Sequence, residues 1–192
     1  MPAPLNLAFG FRTHTRGYPA AMNTLPARIK ACAQLAGTFT LRSGKVSNTY
    51  FDKYRFESDP VLLRDISVAM SRLIPEGTEV LAGLEMGGIP VVTMLSQVTG
   101  LPAAFIRKQT KSYGTCRYAE GAPLEGRRFV LIEDVVSSGG AIIDALKLLR
   151  ADGLSTRKAV CVIDRQSGAV EALAAEGIEL KALLTYAQIA EA

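Results

Sequence analysis

From Glu79 onward the chain alternates short apolar runs with stretches whose apolar positions recur at helical spacing. Glu79–Leu84 and Ala103–Arg107 read as strands, and Arg128–Glu133 is nearly all apolar, as a strand covered on both faces should be. Lys158–Ile163 and Glu179–Leu184 repeat that pattern. Between them, Pro90–Val98 reads as a helix opened by proline. Gly140–Arg150 sets Ile142, Ile143, Leu146 and Leu149 at core spacing, and Ala169–Ala175 is a shorter helix. Strands alternating with helices predict an α/β fold, a doubly wound, mainly parallel five-stranded sheet. In such sheets ligands sit beyond the carboxyl ends of the strands, which directs attention to the loops there. Residues 109–126 show no core period and read as one long loop, a length that in compact domains marks a lid or a disordered segment.

The first residues differ from the rest. Pro2, Pro4, Gly10, Gly17 and Pro19 interrupt any period over residues 1–21, which are expected to form a flexible extension of a domain occupying 22–192. An over-extended start and a targeting segment are the alternatives, since this stretch bears arginine and no acid. The chain of 192 residues, 48% hydrophobic, suits one domain able to bury its own core. No apolar run approaches the roughly 18 residues needed to span a bilayer. A compact apolar segment behind a basic one, the mark of a secretory signal, is also missing. Cys32, Cys116 and Cys161 are odd in number, far apart and free of any Cys-x-x-Cys pairing. That usage points to reduced thiols in a cytoplasmic protein and away from structural zinc.

The formal charge of +4 hides an asymmetry. Arg12, Arg16, Arg28, Lys30, Arg42 and Lys45 precede the first acid, Asp52; taking those six from 22 leaves 16 basic residues against 18 acidic ones. A basic start suits nucleic acid, an acidic membrane surface or a small anion. Without an aromatic-interleaved basic run, small anionic substrates are the expected partners, with neither nucleic acid nor membrane.

The most informative stretch is Phe129-Val-Leu-Ile-Glu-Asp-Val-Val-Ser-Ser-Gly-Gly-Ala141. Small residues at Ser137, Ser138, Gly139, Gly140 and Ala141 let consecutive backbone N–H groups converge, and the helix that follows adds its positive end. Ser137 and Ser138 are also candidates to cap that helix. Glu133 and Asp134 stand just upstream, where carboxylates could accept from ribose hydroxyls. The loop is neither a Walker A motif nor a dinucleotide-binding turn.

With its apolar run, acid pair and Ser-Ser-Gly-Gly loop, this stretch resembles the signature of the phosphoribosyltransferase family. Phe39-Thr-Leu-Arg-Ser-Gly-Lys-Val-Ser-Asn-Thr-Tyr-Phe51 resembles the amino-terminal motif of its orotate branch. There the resemblance assigns Arg42, Tyr50 and Phe51 to orotate, a flat anion suited to a guanidinium and to aromatic faces. Phe105-Ile-Arg-Lys-Gln-Thr-Lys-Ser-Tyr-Gly-Thr115 resembles the family's catalytic lid, with Arg107, Lys108 and Lys111 at its basic positions. Tyr113 stands where many members carry histidine. Gly83-Leu-Glu-Met-Gly-Gly-Ile-Pro90 occupies the family's diphosphate loop, with Met86 and Gly87 at its centre and Gly87 where many members carry lysine. Val160-Cys-Val-Ile-Asp-Arg165 ends a strand in the branch's orotate-binding arginine, Arg165.

This resemblance, over about residues 25–190, implies a type I phosphoribosyltransferase fold with a small N-terminal hood, formed by about 22–60 and the C-terminal segment. It also implies transfer of a phosphoribosyl group from phosphoribosyl diphosphate to orotate, giving orotidine 5'-monophosphate in pyrimidine synthesis. Lys108, Lys111, Asp134 and Arg107 would be the catalytic residues. Glu133 through Ala141, including Val135 and Val136, would hold the phosphoribosyl diphosphate together with Met86, Gly87, Tyr113 and the lid cations. Ser137 would also touch orotate. Mg2+ would be held mainly by substrate oxygens. The family is homodimeric, so Arg107, Lys111 and Tyr113 are expected to act across the subunit boundary and Lys108 within its own. A phosphoribosyltransferase for another base, or a non-catalytic sensor of phosphoribosyl diphosphate, are the alternatives.

Overall fold

A computed structural model describes residues 24–40, 44–109 and 118–192. The expectation of a flexible extension over residues 1–21 lies outside the described residues.

The apolar runs become the centre of a six-stranded sheet: β3 (Val80–Leu84), β4 (Ala103–Ile106), β5 (Ala119–Gly121), β6 (Phe129–Val136), β7 (Lys158–Asp164) and β8 (Glu179–Thr185). Their order is β5-β4-β3-β6-β7-β8, with every neighbouring pair parallel except β4 with β5. Helices α3 (Pro60–Ser71) and α4 (Gly88–Thr99) cover one face, while α5 (Gly140–Ala151) and α6 (Ala169–Ala175) cover the other. Alternation along β6 feeds both layers. Val130 and Ile132 pack with Leu62, Ile66, Val91 and Leu95, whereas Phe129 and Leu131 pack with Ile142, Leu146 and Leu173.

Two sequence-based expectations are corrected. The sheet has a sixth strand beyond the expected five, the short antiparallel β5 on its edge. That strand lies inside the stretch read as one long loop, where Tyr118 and Leu124 are buried in the core. Two apolar side chains separated by polar and small residues carry no period, so their burial leaves no trace in the pattern.

Ahead of the sheet, α1 (Leu25–Ala33) leads into an antiparallel hairpin of β1 (Gln34–Thr40) and β2 (Val46–Phe51), followed by α2 (Lys53–Ser58). The C-terminal helix α7 (Tyr186–Glu191) packs on α1, and the Lys30 ammonium donates to the carbonyls of Ala190 and Ala192. Helix α2 packs against α1, α3 and α4, so it links this subdomain to the sheet. Among the described residues no helix is long and apolar enough to cross a membrane.

Candidate active site

The chain leaves β3 towards β4 on one side and later leaves β6 towards β7 on the other, so the topological switch lies between β3 and β6. Their carboxyl ends deliver the Glu85–Gly88 loop and the Glu133–Gly140 loop to one place. A cavity of about 530 Å³ opens there. Its wall includes Glu85, Arg107, Lys108, Glu133 and the whole run Val135–Ala141.

The helix starts fall into two groups. Thr24, Asp52, Asp59 and Thr185 cap α1, α2, α3 and α7 with side-chain oxygens. Helices α4, α5 and α6 begin behind Gly87, Gly139 and Gly168 with no side-chain cap, and the first two of these starts stand at the switch point. Ser137 and Ser138, considered above as caps, do not cap α5 and are exposed on the cavity wall. First-turn N–H groups at a helix start need a partner, and here an anion can supply it, favoured by the helix dipole. Gly139 adopts a left-handed φ of 80°, which turns the chain from the loop into α5.

The acid pair is divided. Glu133 lines the cavity, and its Oε2 is buried with no hydrogen-bond donor among the described residues. Burial first, and the neighbouring Asp134 second, push its carboxyl well above the ordinary carboxylate value. Asp134 is fully buried and turns to a different set of neighbours. Its Oδ2 lies 2.6 Å from Lys53 Nζ. Against the cost of burial, hydrogen bonds from Glu57, Glu133 and Lys53 hold Asp134 below its usual value. Lys53 is raised: burial opposes its charge, but the contact with Asp134 outweighs that. Glu57 is pushed up to about 9, by burial and then by Asp134. Gly87 forms the remaining wall, since a Cβ there would stand 2.0 Å from Asp134 Oδ2.

Lys53 and Glu57 were not singled out in the sequence. The one signal available was an i, i+4 pair of opposite charges directly after the aromatic motif, which is common on exposed helices.

Two basic residues of the expected lid, Arg107 and Lys108, fall among the described residues. Arg107 and Lys108 stand at the end of β4 and reach the cavity, and the Lys108 backbone N–H donates to the Glu85 carboxylate. Met86 is 59% exposed beside the cavity. Lys111 and Tyr113 lie outside the described residues, as does Arg42. The aromatic residues part company. Tyr50 pairs with Phe39 at 5.5 Å between ring centroids, whereas Phe51 meets Phe56 at 6.4 Å and Tyr186 edge-on at 5.8 Å. Consecutive strand residues face opposite ways, so β2 does not bring Tyr50 and Phe51 to one face. Arg165, exposed after β7, lies 5.1 Å from the Tyr186 ring and so joins the Phe51 side. Tyr186 is the member of this group that the sequence did not suggest.

A family profile described as phosphoribosyl transferase domain matches residues 60–176. The orotate phosphoribosyltransferase of Nocardioides sp. is 49% identical over 166 residues, covering 86% of this chain and 93% of that protein. That of Methanocella arvoryzae is 40% identical over 153 residues, covering 80% and 87%. Among solved structures, the Mycobacterium tuberculosis orotate phosphoribosyltransferase in complex with 5-phospho-alpha-D-ribosyl 1-diphosphate superposes with a TM-score of 0.74 at 25% identity, covering 86% of this chain and 96% of that one. With the parallel sheet, the uncapped loops at its switch point and these likenesses together, the chain belongs to the phosphoribosyltransferase family, among the orotate phosphoribosyltransferases.

Proposed function

We propose that the chain transfers the phosphoribosyl group of 5-phosphoribosyl diphosphate to orotate, releasing diphosphate and forming orotidine 5'-monophosphate for pyrimidine synthesis. The observation that carries this reading is the cavity itself, in which an uncapped helix start, a buried unpaired carboxylate and the cations of the lid converge. The 5'-phosphate sits on the backbone of Ser137–Ala141 at the start of α5. Glu133 meets a ribose hydroxyl beside the carbon that becomes cationic as the bond to diphosphate breaks. The orotate nitrogen closes on that carbon from the side of Arg165 and Tyr186, with Arg42 and the aromatic residues of the hairpin completing the base site.

Diphosphate leaves over the second uncapped start, at Gly87 and Gly88. Arg107, Lys108 and Lys111 neutralise its growing charge, and Tyr113 closes beside them. Stabilisation aimed at charge that develops in the transition state is the main means of catalysis in such a site. The closing lid also excludes water, which would otherwise capture the activated ribose. Among the described residues no group of three or more metal-ligating side chains is assembled. The buried Glu133 oxygen beside the ribose position fits a cation held chiefly by substrate oxygens, the usual manner for Mg2+. When bound, Mg2+ offsets the charge of the diphosphate.

A homodimer in which Arg107, Lys111 and Tyr113 reach the neighbour's cavity, while Lys108 serves its own, completes the reading, and the free thiols of Cys32 and Cys161 among the described residues suit a reducing cytoplasm. The test is loss of orotate absorbance with phosphoribosyl diphosphate and Mg2+, for chains begun at Met1 and at Met22, alongside a panel of other bases. Turnover of adenine, guanine or uracil in preference to orotate would overturn the base assignment.

A further inference from the structure

The hood reaches the acid pair through α2. Lys53 and Glu57 stand four residues apart on that helix and therefore on one side of it. Both meet the Asp134 carboxylate, Lys53 in an ion pair of 2.6 Å and Glu57 in carboxyl-to-carboxyl contact. Neither Glu57 oxygen meets a hydrogen-bond donor among the described residues, so its partner is that neighbouring carboxylate. Gly87 closes the third side with no room for a Cβ. Glu133 from the same strand completes the surroundings, with Asp52, Tyr54 and the Cys161 thiol further off. Asp134 itself is absent from the cavity wall, whereas Glu133 lines it within hydrogen-bonding reach of Asp134. A buried ion pair adds little net stability, because desolvation offsets the attraction. What such a cluster does supply is a fixed direction for each carboxyl group.

We propose that Lys53 and Glu57 are positioning residues for the transfer reaction: through α2 they fix the Asp134 carboxylate, which aligns Glu133 on the ribose hydroxyls. The hood thus assembles the ribose site in addition to covering the base. This rests on Glu133 being the ribose ligand, as proposed above.

The test uses the full chain with Lys53→Met, Lys53→Arg, Glu57→Gln and Glu57→Leu. Steady-state kinetics are measured, with calorimetric binding of inorganic phosphate as a probe of the Ser137–Ala141 loop. Losing a charge-assisted contact predicts that Lys53→Met raises KM for phosphoribosyl diphosphate roughly tenfold or more, with kcat changed less than about threefold. Inorganic phosphate affinity stays within about twofold of the starting protein, because that loop is untouched. Lys53→Arg restores most of the loss, and Glu57→Gln, which keeps a donor towards Asp134, raises KM less than Glu57→Leu. An unchanged KM in Lys53→Met overturns the proposal. So does a loss of phosphoribosyl diphosphate and inorganic phosphate binding together, which would make the role one of general structure. Should Lys53→Met fail to fold, the order of the two Glu57 variants decides. Glu133→Gln separates the two readings. If it leaves KM for phosphoribosyl diphosphate unchanged, the ribose assignment falls. If it raises KM while Lys53→Met does not, only the positioning proposal falls.

Discussion

Gly87→Ala isolates one packing contact at the switch point. Gly87 has φ −69° and ψ −29°, a right-handed helical conformation that alanine adopts freely. Backbone preference alone would make the change neutral or favourable by ~0.5–1 kcal/mol. The obstacle is steric, since a Cβ would stand 2.0 Å from Asp134 Oδ2, 2.4 Å from its Cγ and 2.9 Å from Oδ1. Ordinary contact begins near 3.4 Å, so the carboxylate must leave. It is wholly buried and paired with Lys53, and displacing it leaves a charge without its partner at a cost of ~3–5 kcal/mol. For a chain of this size each kcal/mol shifts Tm by ~2–4 °C, so a fall of roughly 6–20 °C is expected. Thermal melts of the starting protein, Gly87→Ala, Asp134→Ala and the double variant close a mutant cycle. With the carboxylate gone, Gly87→Ala should cost nothing or stabilise slightly. An equal cost in both backgrounds would refute the reasoning and place the obstacle elsewhere.

Other outcomes follow from the same geometry. Glu57 has its carboxyl raised from 4.5 to about 9, so between those values the folded chain keeps a proton that the unfolded chain has released. Stability contributed by this group therefore falls as pH rises through that window. Glu57→Gln removes that dependence, and its Tm relative to the starting protein should climb between about pH 5 and about pH 8; a flat difference would show that Glu57 is not the protonated partner. Tyr186→Leu removes the ring beside Arg165 and the edge contact with Phe51. A cation–π contact at an accessible site predicts a rise of roughly two- to fivefold in KM for orotate, with KM for phosphoribosyl diphosphate unmoved. Lys111→Ala should lower kcat far more than it raises KM for phosphoribosyl diphosphate, since the lid acts on charge that develops in the transition state; equal turnover would remove Lys111 from the lid. Gly83→Ala would set a Cβ 2.4 Å from Val92 Cγ1 and 2.6 Å from the Gly88 carbonyl oxygen, and should destabilise the β3–α4 unit by ~1–3 kcal/mol in denaturant titration.

What the sequence determined by itself is what is local along the chain. The buried strands are contiguous apolar runs, and β6 with its loop and α5 is one unbroken strand–turn–helix whose uncapped start needs no distant residue. Arg107 and Lys108 were likewise legible, because the end of a parallel strand fixes where they emerge. Tertiary structure decided the rest, where separate segments meet. Lys53 and Glu57 acquire their meaning from the packing of α2 against α4, and no periodicity marks a polar residue whose partner lies on another element. Gly87 was read as a glycine of the diphosphate loop, and what excludes a side chain there is Asp134, delivered by a different strand. Tyr50 and Phe51 are adjacent in sequence, but pleating sends them to different ring partners. Glu133 and Asp134, also adjacent, were read as one pair. Docking of the hood gives Asp134 to the interior and leaves Glu133 on the cavity wall, because each carboxylate settles where its charge or its proton finds a partner.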